Sequence, residues 1–215
     1  VISLESLSPL LAANVCAARF LEEQHTPALY RVHEPPDPDK IEELRQALGF
    51  VGVRMPPGEV TPAVMQKALT QLPDHVDHWI YAQLALRTLK QAVYTPKNQG
   101  HFGLALERYM HFTSPIRRYP DLIVHRAIKA VLATQQGRKA KQIPNMDELF
   151  SLGESCSGYE RRAEGAGWLV DAWLKCDYLS DRVGESFDGL IAGVTEFGLF
   201  VELKEAMKGC HMLCL

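Results

Sequence analysis

The chain has 215 residues, of which 47% are hydrophobic and 23% charged, and its formal net charge is −3. This composition is typical of a globular protein with a real core, and the charge excludes a global basic field of the kind that many nucleic-acid binders carry. Any binding of a polyanion must therefore come from local basic clusters. The five cysteines are scattered, and no apolar run approaches the roughly 20 residues needed to cross a bilayer. We therefore expect a cytoplasmic, reducing location and no membrane association.

The amino-terminal half predicts helices separated by proline- and glycine-rich breaks. The expected helices cover residues 1–24, 41–48, 61–72 and 74–93, with an extended segment over 28–33. Pro27 and Gly49 are stop signals, whereas Thr61 and Asp74 are N-cap residues at the starts of the third and fourth helices.

The carboxy-terminal half changes from helical to strand-like patterning. Apolar residues recur at helical spacing after Asp121, where His125 follows four residues later and can pair with that carboxylate. Asn145 and Glu148 have the spacing of a capping box that opens a long helix to about residue 179. From residue 184 the pattern predicts two strands, over 187–194 and 198–203, around a turn at 195–196.

Residues 111–122, with the sequence HFTSPIRRYPDL, have the composition of a polyanion site. Arg117 and Arg118 supply guanidinium forks of the kind that hold phosphate oxygens, and the flanking rings supply flat faces for bases. Ser114 before Pro115 resembles a helix N-cap, and Tyr119 begins a further helix. Phosphate bound here would lie near helix N-termini as well as near the arginines.

The same region resembles a known family. Residues 101–122, continuing into His125 and Arg126, are similar to the signature of the ribonuclease II and ribonuclease R (RNB) family of exoribonucleases, and the RRYPDL version is nearer to bacterial ribonuclease R. Further stretches match in order, at 11–14, 30–33, 89–92, 160–163 and 173–176. The resemblance implies an α+β fold. Residues 1–183 would be the mainly helical C-terminal part of an RNB catalytic domain, and residues 184–215 an incomplete OB-fold β-barrel.

The resemblance also implies an activity. The family hydrolyses single-stranded RNA processively from the 3′ end to nucleoside 5′-monophosphates with Mg²⁺, and we expect a monomer. The family's metal-binding aspartates lie upstream of the helix that opens this chain, and nothing here matches them. Asp37 and Asp39 lie in a proline-stiffened turn and are expected to be structural. We therefore expect no metal ligand and no activity of this chain alone. The alternative is a non-catalytic RNA-binding fragment.

Site residues follow from the resemblance together with the residue types. Arg117 is the expected catalytic residue, stabilising charge on the scissile phosphate. The expected RNA-binding residues are His111, Thr113, Ser114, Arg118, Tyr119, Phe187, Phe197 and Phe200.

Several of these assignments have an open structural alternative. Arg118 could instead pair with Asp121, Ser114 could serve only as a cap, and Tyr119 could simply pack. At least one of the three phenylalanines could fill the core of the barrel. For His101 we expect a core hydrogen bond.

Overall fold

Helices make up most of the chain as far as residue 182, and short strands follow. The computed structural model describes residues 9–196, 198–203 and 211–214. The helices are α1 (Pro9–Glu23), α2 (Pro38–Phe50), α3 (Pro62–Thr70), α4 (His78–Thr88), α5 (Tyr119–Gln135) and α6 (Met146–Leu179), and the strands are β1 (Tyr30–Val32), β2 (Val93–Thr95), β3 (Gly189–Thr195), β4 (Gly198–Leu203) and β5 (His211–Cys214). The chain divides into two compact units after Gly158.

Local capping signals set several helix starts. The Thr61 side chain accepts a hydrogen bond from Val64 N at the start of α3. The capping box that opens α6 is confirmed, because Asn145 Oδ1 accepts from Glu148 N at 2.9 Å and Glu148 Oε2 accepts from Asn145 N at 2.8 Å. Asp74 is not a cap, since α4 begins only after Asp77.

The segment after α4 forms a strand where the sequence predicted continued helix. β2 pairs antiparallel with β1, and Arg31 lies opposite Tyr94 in the register. The extension of the helix to residue 93 was therefore wrong. Val93, Tyr94 and Thr95 are β-branched or aromatic, and the proline at position 96 favours extended backbone before it.

Two apolar clusters provide most of the buried core of the first unit. One joins α2, α3 and α4 through Leu44, Leu48, Met65 and Ala68. The other joins α1, the β1–β2 ribbon and α5, and it includes Leu21, Val32, Met110, Val124 and Ala127. Met110 belongs to the second cluster and Phe112 packs against it, so this cluster anchors the segment that connects β2 to α5.

The amino-terminal part of α6 packs closely on β2. A Cβ on Gly153 would lie 2.5 Å from Tyr94 O. One turn later, Ser157 Oγ accepts a hydrogen bond from Tyr94 N at 2.9 Å and donates to Gly153 O at 2.7 Å. Gly153 is therefore required for close approach, which explains one of the glycines in this helix.

The second unit contains an antiparallel sheet with the strand order β3–β4–β5, and the register shifts between Ile191 and Gly193. The predicted pair of strands around residues 195–196 is confirmed. The mixed helix and sheet class is also confirmed, whereas the described strands form an open sheet and no closed barrel. No described helix is long and apolar enough to cross a membrane.

Candidate functional site

Asn14 of α1 holds the segment that leads into the arginine pair. Its Oδ1 accepts hydrogen bonds from Phe112 N at 2.9 Å and Thr113 N at 3.2 Å, and its Nδ2 donates to Tyr109 Oη at 3.1 Å. The side chain is almost fully buried. A buried amide with three partners fixes the backbone of this segment, because losing any of them would leave a polar group unsatisfied.

Residues 115–117 form a turn rather than the start of a helix. Arg117 N and Arg118 N both donate to Ser114 O, at 3.3 and 3.1 Å. α5 begins at Tyr119, as predicted, with Arg118 as its N-cap residue. The prediction that Ser114 caps a helix was wrong, because Ser114 O closes a turn.

Asp121 is the electrostatic centre of this turn. It is fully buried, and its Oδ1 accepts from Ser114 N at 2.8 Å and from Arg118 Nη2 at 2.9 Å. Its Oδ2 lies 2.8 Å from Arg118 Nε, a charge contact that lacks hydrogen-bond alignment. Of the two alternatives for Arg118, the structure has the ion pair.

The two adjacent arginines are therefore in different states. The Arg118 side chain is only 23% exposed and its charge is compensated by Asp121. Arg117 is exposed, and its guanidinium has no hydrogen-bond or ion-pair partner among the described residues. Ile116 and Tyr119 beside it are also exposed. The turn thus presents one uncompensated cation next to an aromatic ring.

His111 lies half-buried behind this turn and is electrically neutral at physiological pH. Its Nδ1 is 2.8 Å from Tyr94 Oη. Burial lowers the pKa of His111 to about 4, and the positive charges of Arg118 and Arg31 act in the same direction. The side chain can therefore offer a ligand a neutral hydrogen-bonding group and no positive charge.

His111 belongs to a row of edge-packed rings. The ring centroids of His33 and His101 are 5.1 Å apart, those of His101 and Tyr109 5.3 Å, and those of Tyr109 and His111 5.5 Å. His101 Nδ1 accepts from Leu104 N at 3.2 Å, which is the core hydrogen bond expected for it. Burial lowers the pKa of His101 to about 4 as well.

His125 does not pair with Asp121, so that prediction was wrong. Its ring stacks on Phe112 with centroids 4.3 Å apart and planes 9° from parallel, and its Nε2 lies 2.9 Å from Phe112 O. Asp121 is occupied by Arg118 instead. The ring of Phe112 is therefore covered by His125 on one face.

The predicted base-stacking phenylalanines belong to the second unit. Phe187 is half-buried, and the Arg182 guanidinium lies 4.6 Å from its ring centroid. Phe200 is half-buried in β4, next to Gly193 of β3. Phe197 lies outside the described residues. His111, Thr113, Ser114, Arg118 and Tyr119 lie in the same stretch of chain as Arg117, in the first unit.

Comparison with known proteins identifies the family. Residues 8–134, more than half of the chain, match the family model described as RNB domain. The chain belongs to the RNB-domain family. Ribonuclease R of Escherichia coli (strain K12) is 44% identical over 203 residues, which cover 91% of this chain and 25% of that protein. Ribonuclease R of Vibrio cholerae is 44% identical over 204 residues, with the same two coverages, 91% and 25%. The RNB chain thus spans about a quarter of the length of these relatives.

Solved structures agree with this assignment. The RNB chain is similar to Mycoplasma genitalium RNase R in complex with ribose-methylated single-stranded RNA, with a TM-score of 0.84 and 28% identity over 95% of this chain and 32% of that one. It also resembles yeast Ssd1, a pseudonuclease, with a TM-score of 0.75 and 23% identity over 90% of this chain and 24% of that one. At that identity the second likeness concerns the fold alone.

The described part of the RNB chain does not fit a Mg²⁺ site. Across residues 9–196, 198–203 and 211–214, no three His, Cys, Asp or Glu side chains group closely enough to hold a metal ion. The carboxylate of Asp37 is used locally, because its Oδ1 accepts a hydrogen bond from Asp39 N at 3.1 Å and caps α2. This turn has the structural role expected for it.

Sequence reasoning missed Tyr94 and Ser157 as parts of this site. Tyr94 directly follows the helix predicted over 74–93 and was given no role, and nothing marked Ser157 within α6 as its partner. The run Val93-Tyr94-Thr95 before a proline was the available signal for a strand. Its pairing with β1, some sixty residues earlier, is what brings the Tyr94 phenol to His111.

Proposed function

We propose that this chain is the segment of a 3′→5′ exoribonuclease that holds the scissile phosphate. The complete enzyme would hydrolyse RNA processively to nucleoside 5′-monophosphates with Mg²⁺, whose carboxylate ligands lie outside the described residues. The family and the two ribonuclease R relatives support this reaction.

The observation that carries the proposal is the difference between the two arginines. Arg118 is bound by buried Asp121 and shapes the turn, which leaves Arg117 exposed and available for an external anion. In phosphodiester hydrolysis, negative charge grows on the phosphate oxygens in the transition state, so a guanidinium placed there can lower the barrier by a few kcal/mol. Arg117 is the catalytic residue of this proposal.

The RNA would follow the face that surrounds Arg117. Thr113 and Ser114 offer hydroxyl donors to phosphate, Tyr119 offers an exposed ring for stacking, and His111 offers a neutral imidazole. Arg118 contributes positive electrostatic potential and holds the shape of the turn. The complex of Mycoplasma genitalium RNase R with single-stranded RNA supports RNA of this kind as the ligand.

The second part of the proposal concerns the carboxy-terminal strands. Residues 1–183 would belong to the catalytic domain and residues 184–215 to the start of an OB-fold RNA-binding module, with Phe187, Phe197 and Phe200 as stacking faces. We further propose that the whole protein is a cytoplasmic monomer.

One observation favours a second candidate function, a non-catalytic RNA-binding protein. The described residues contain no group that could hold a metal. Such a protein would use the same turn to grip RNA without cleaving it.

Two experiments test these functions. The first incubates the chain with 5′-labelled single-stranded RNA, with Mg²⁺ and with chelator, and follows both a mobility shift and cleavage on gels. We expect binding without cleavage. Metal-dependent shortening from the 3′ end would contradict the expectation that this chain holds no metal ligand.

The second experiment replaces the corresponding segment of E. coli ribonuclease R with this chain. The hybrid should degrade RNA from the 3′ end. Arg117→Ala should slow cleavage by about 10²–10³-fold while RNA affinity changes only a few-fold. Arg54→Ala is the matched control, because Arg54 is also exposed but lies between α2 and α3. Unchanged turnover of Arg117→Ala would remove Arg117 from its catalytic role.

A further inference from the structure

Tyr94 is a buried tyrosine whose hydroxyl faces the proposed RNA-binding loop. Its side chain is buried, and its Oη lies 2.8 Å from His111 Nδ1. Its backbone is fixed by Ser157 Oγ, and the Arg31 guanidinium lies 4.6 Å from its ring centroid. The Tyr94 phenol is therefore held rigidly against the His111 imidazole.

The direction of this hydrogen bond decides whether the second ring nitrogen of His111, Nε2, is a donor or an acceptor. Either the phenol donates to Nδ1, or Nδ1–H donates to the phenol oxygen. The Arg31 cation over the ring draws electron density from it and makes the phenol O–H a stronger donor. The geometry therefore favours a phenol that donates, and a neutral imidazole then carries its proton on Nε2.

The charged and titratable groups around His111 keep it neutral. Arg118 of the loop and Arg31 of β1 are cations that disfavour protonation, and Asp121 of α5 acts in the opposite direction. His101 and Tyr109 pack behind it. Because burial dominates and lowers the pKa of His111 to about 4, the ring stays uncharged between pH 6 and 8.

We propose that Tyr94 is a positioning residue that holds His111 in its Nε2–H tautomer, so that neutral His111 donates a hydrogen bond to a backbone oxygen of RNA. This inference rests on the proposed function, since it assigns His111 a contact with the same RNA. The described residues give a hydrogen-bond partner to Nδ1 only, which leaves Nε2 for an external acceptor. A neutral donor beside Arg117 would orient the RNA without competing for its charge.

The first test reads the tautomer directly. In the chain labelled with ¹⁵N-histidine, protonated and bare ring nitrogens give well-separated NMR signals, and the His111→Gln variant identifies those of residue 111. We expect the proton on Nε2 in the unaltered chain and a mixture of tautomers in Tyr94→Phe. Tyr81→Phe, in the α2–α4 cluster, is the matched control and should leave the signals unchanged. A proton on Nδ1 in the unaltered chain would overturn the inference.

The second test measures affinity for a labelled single-stranded oligoribonucleotide by fluorescence anisotropy. Tyr94→Phe should bind about 2- to 10-fold more weakly, the range expected for one hydrogen bond. His111→Ala should lose at least as much, and His111→Gln should recover part of that loss because its amide N–H₂ lies near the position of Nε2. Equal affinity of Tyr94→Phe and the unaltered chain would contradict the proposal.

Further binding measurements distinguish a phosphate acceptor from a ribose 2′-hydroxyl acceptor. They also distinguish failure of the proposed function from failure of the Tyr94–His111 inference. A DNA oligonucleotide of the same sequence should show the same loss if the acceptor is phosphate, and no loss if it is the ribose 2′-hydroxyl. No RNA binding by the unaltered chain would refute the proposed function, and the role of His111 with it. RNA binding with the proton on Nδ1 would refute the roles of Tyr94 and His111 in this inference and leave the proposed function standing.

Discussion

The close approach of α6 to β2 yields a sharp prediction. In Gly153→Ala the added methyl group would lie 2.5 Å from Tyr94 O and 3.1 Å from Tyr94 C, both backbone atoms that cannot rotate away. Gly158, five residues further along the same helix, has no heavy atom within 4 Å of the corresponding position. The two substitutions therefore make the same chemical change in a blocked site and an open one.

The expected magnitudes follow from two opposing effects. Alanine in place of glycine stabilises a helix interior by about 1 kcal/mol. Overpacking a filled site costs roughly 1–3 kcal/mol because the backbone must shift. Gly158→Ala should thus raise the free energy of unfolding by up to about 1 kcal/mol, and Gly153→Ala should be about 1–3 kcal/mol less stable than Gly158→Ala.

Urea denaturation followed by circular dichroism measures this difference, because the gain in helix propensity is common to both variants and cancels. The slopes of the two transitions should agree, so that the midpoints report stability alone. If Gly153→Ala proved as stable as Gly158→Ala, the proposed contact between α6 and the Tyr94 carbonyl would be refuted.

Two further predictions concern charge. Asp121→Asn should lower the free energy of unfolding by about 2–3 kcal/mol in the same assay, somewhat less than for a fully buried ion pair because Arg118 is partly exposed. The control Asp74→Asn should have little effect, since Asp74 is exposed. Equal effects of the two substitutions would refute the buried ion pair. Burial lowers the pKa values of His101 and His111 to about 4, below the ordinary value of 6.5, so the unfolded chain binds more protons than the folded chain in this range. The free energy of unfolding should therefore fall as the pH drops from 6.5 to 4, and the double variant His101→Gln, His111→Gln should flatten that slope. An unchanged slope would contradict the assignment.

Features that depend on neighbours in sequence could be predicted from the sequence. The capping box of Asn145 and Glu148 and the cap at Thr61 are of this kind, because the partners are three residues apart. The start of α5 at Tyr119 was also predictable from its proline at the second position. In each case the residues that give the signal belong to the first turn of the helix or directly precede it.

Features that depend on distant partners could not be predicted in this way. Asp121 has Arg118 three residues before it and His125 four residues after it, and spacing alone allows both pairs. In the structure His125 stacks on Phe112, thirteen residues before it, and Asp121 pairs with Arg118. Tyr94 was missed for the same reason, since its strand has three residues and exists through its pairing with β1.

The hydrogen bonds of Asn14 and Asp121 have a consequence for the thermodynamics of binding. Asn14 fixes the backbone at residues 112 and 113, and Asp121 ties Ser114 to Arg118, so the segment leading to Arg117 is ordered before any ligand arrives. The conformational entropy of this loop is therefore lost during folding, and binding a ligand does not require a second loss. A nucleic acid meeting this turn would encounter a preorganised backbone, and the freedom left to lose on the protein side would be that of exposed side chains such as Arg117 and Tyr119.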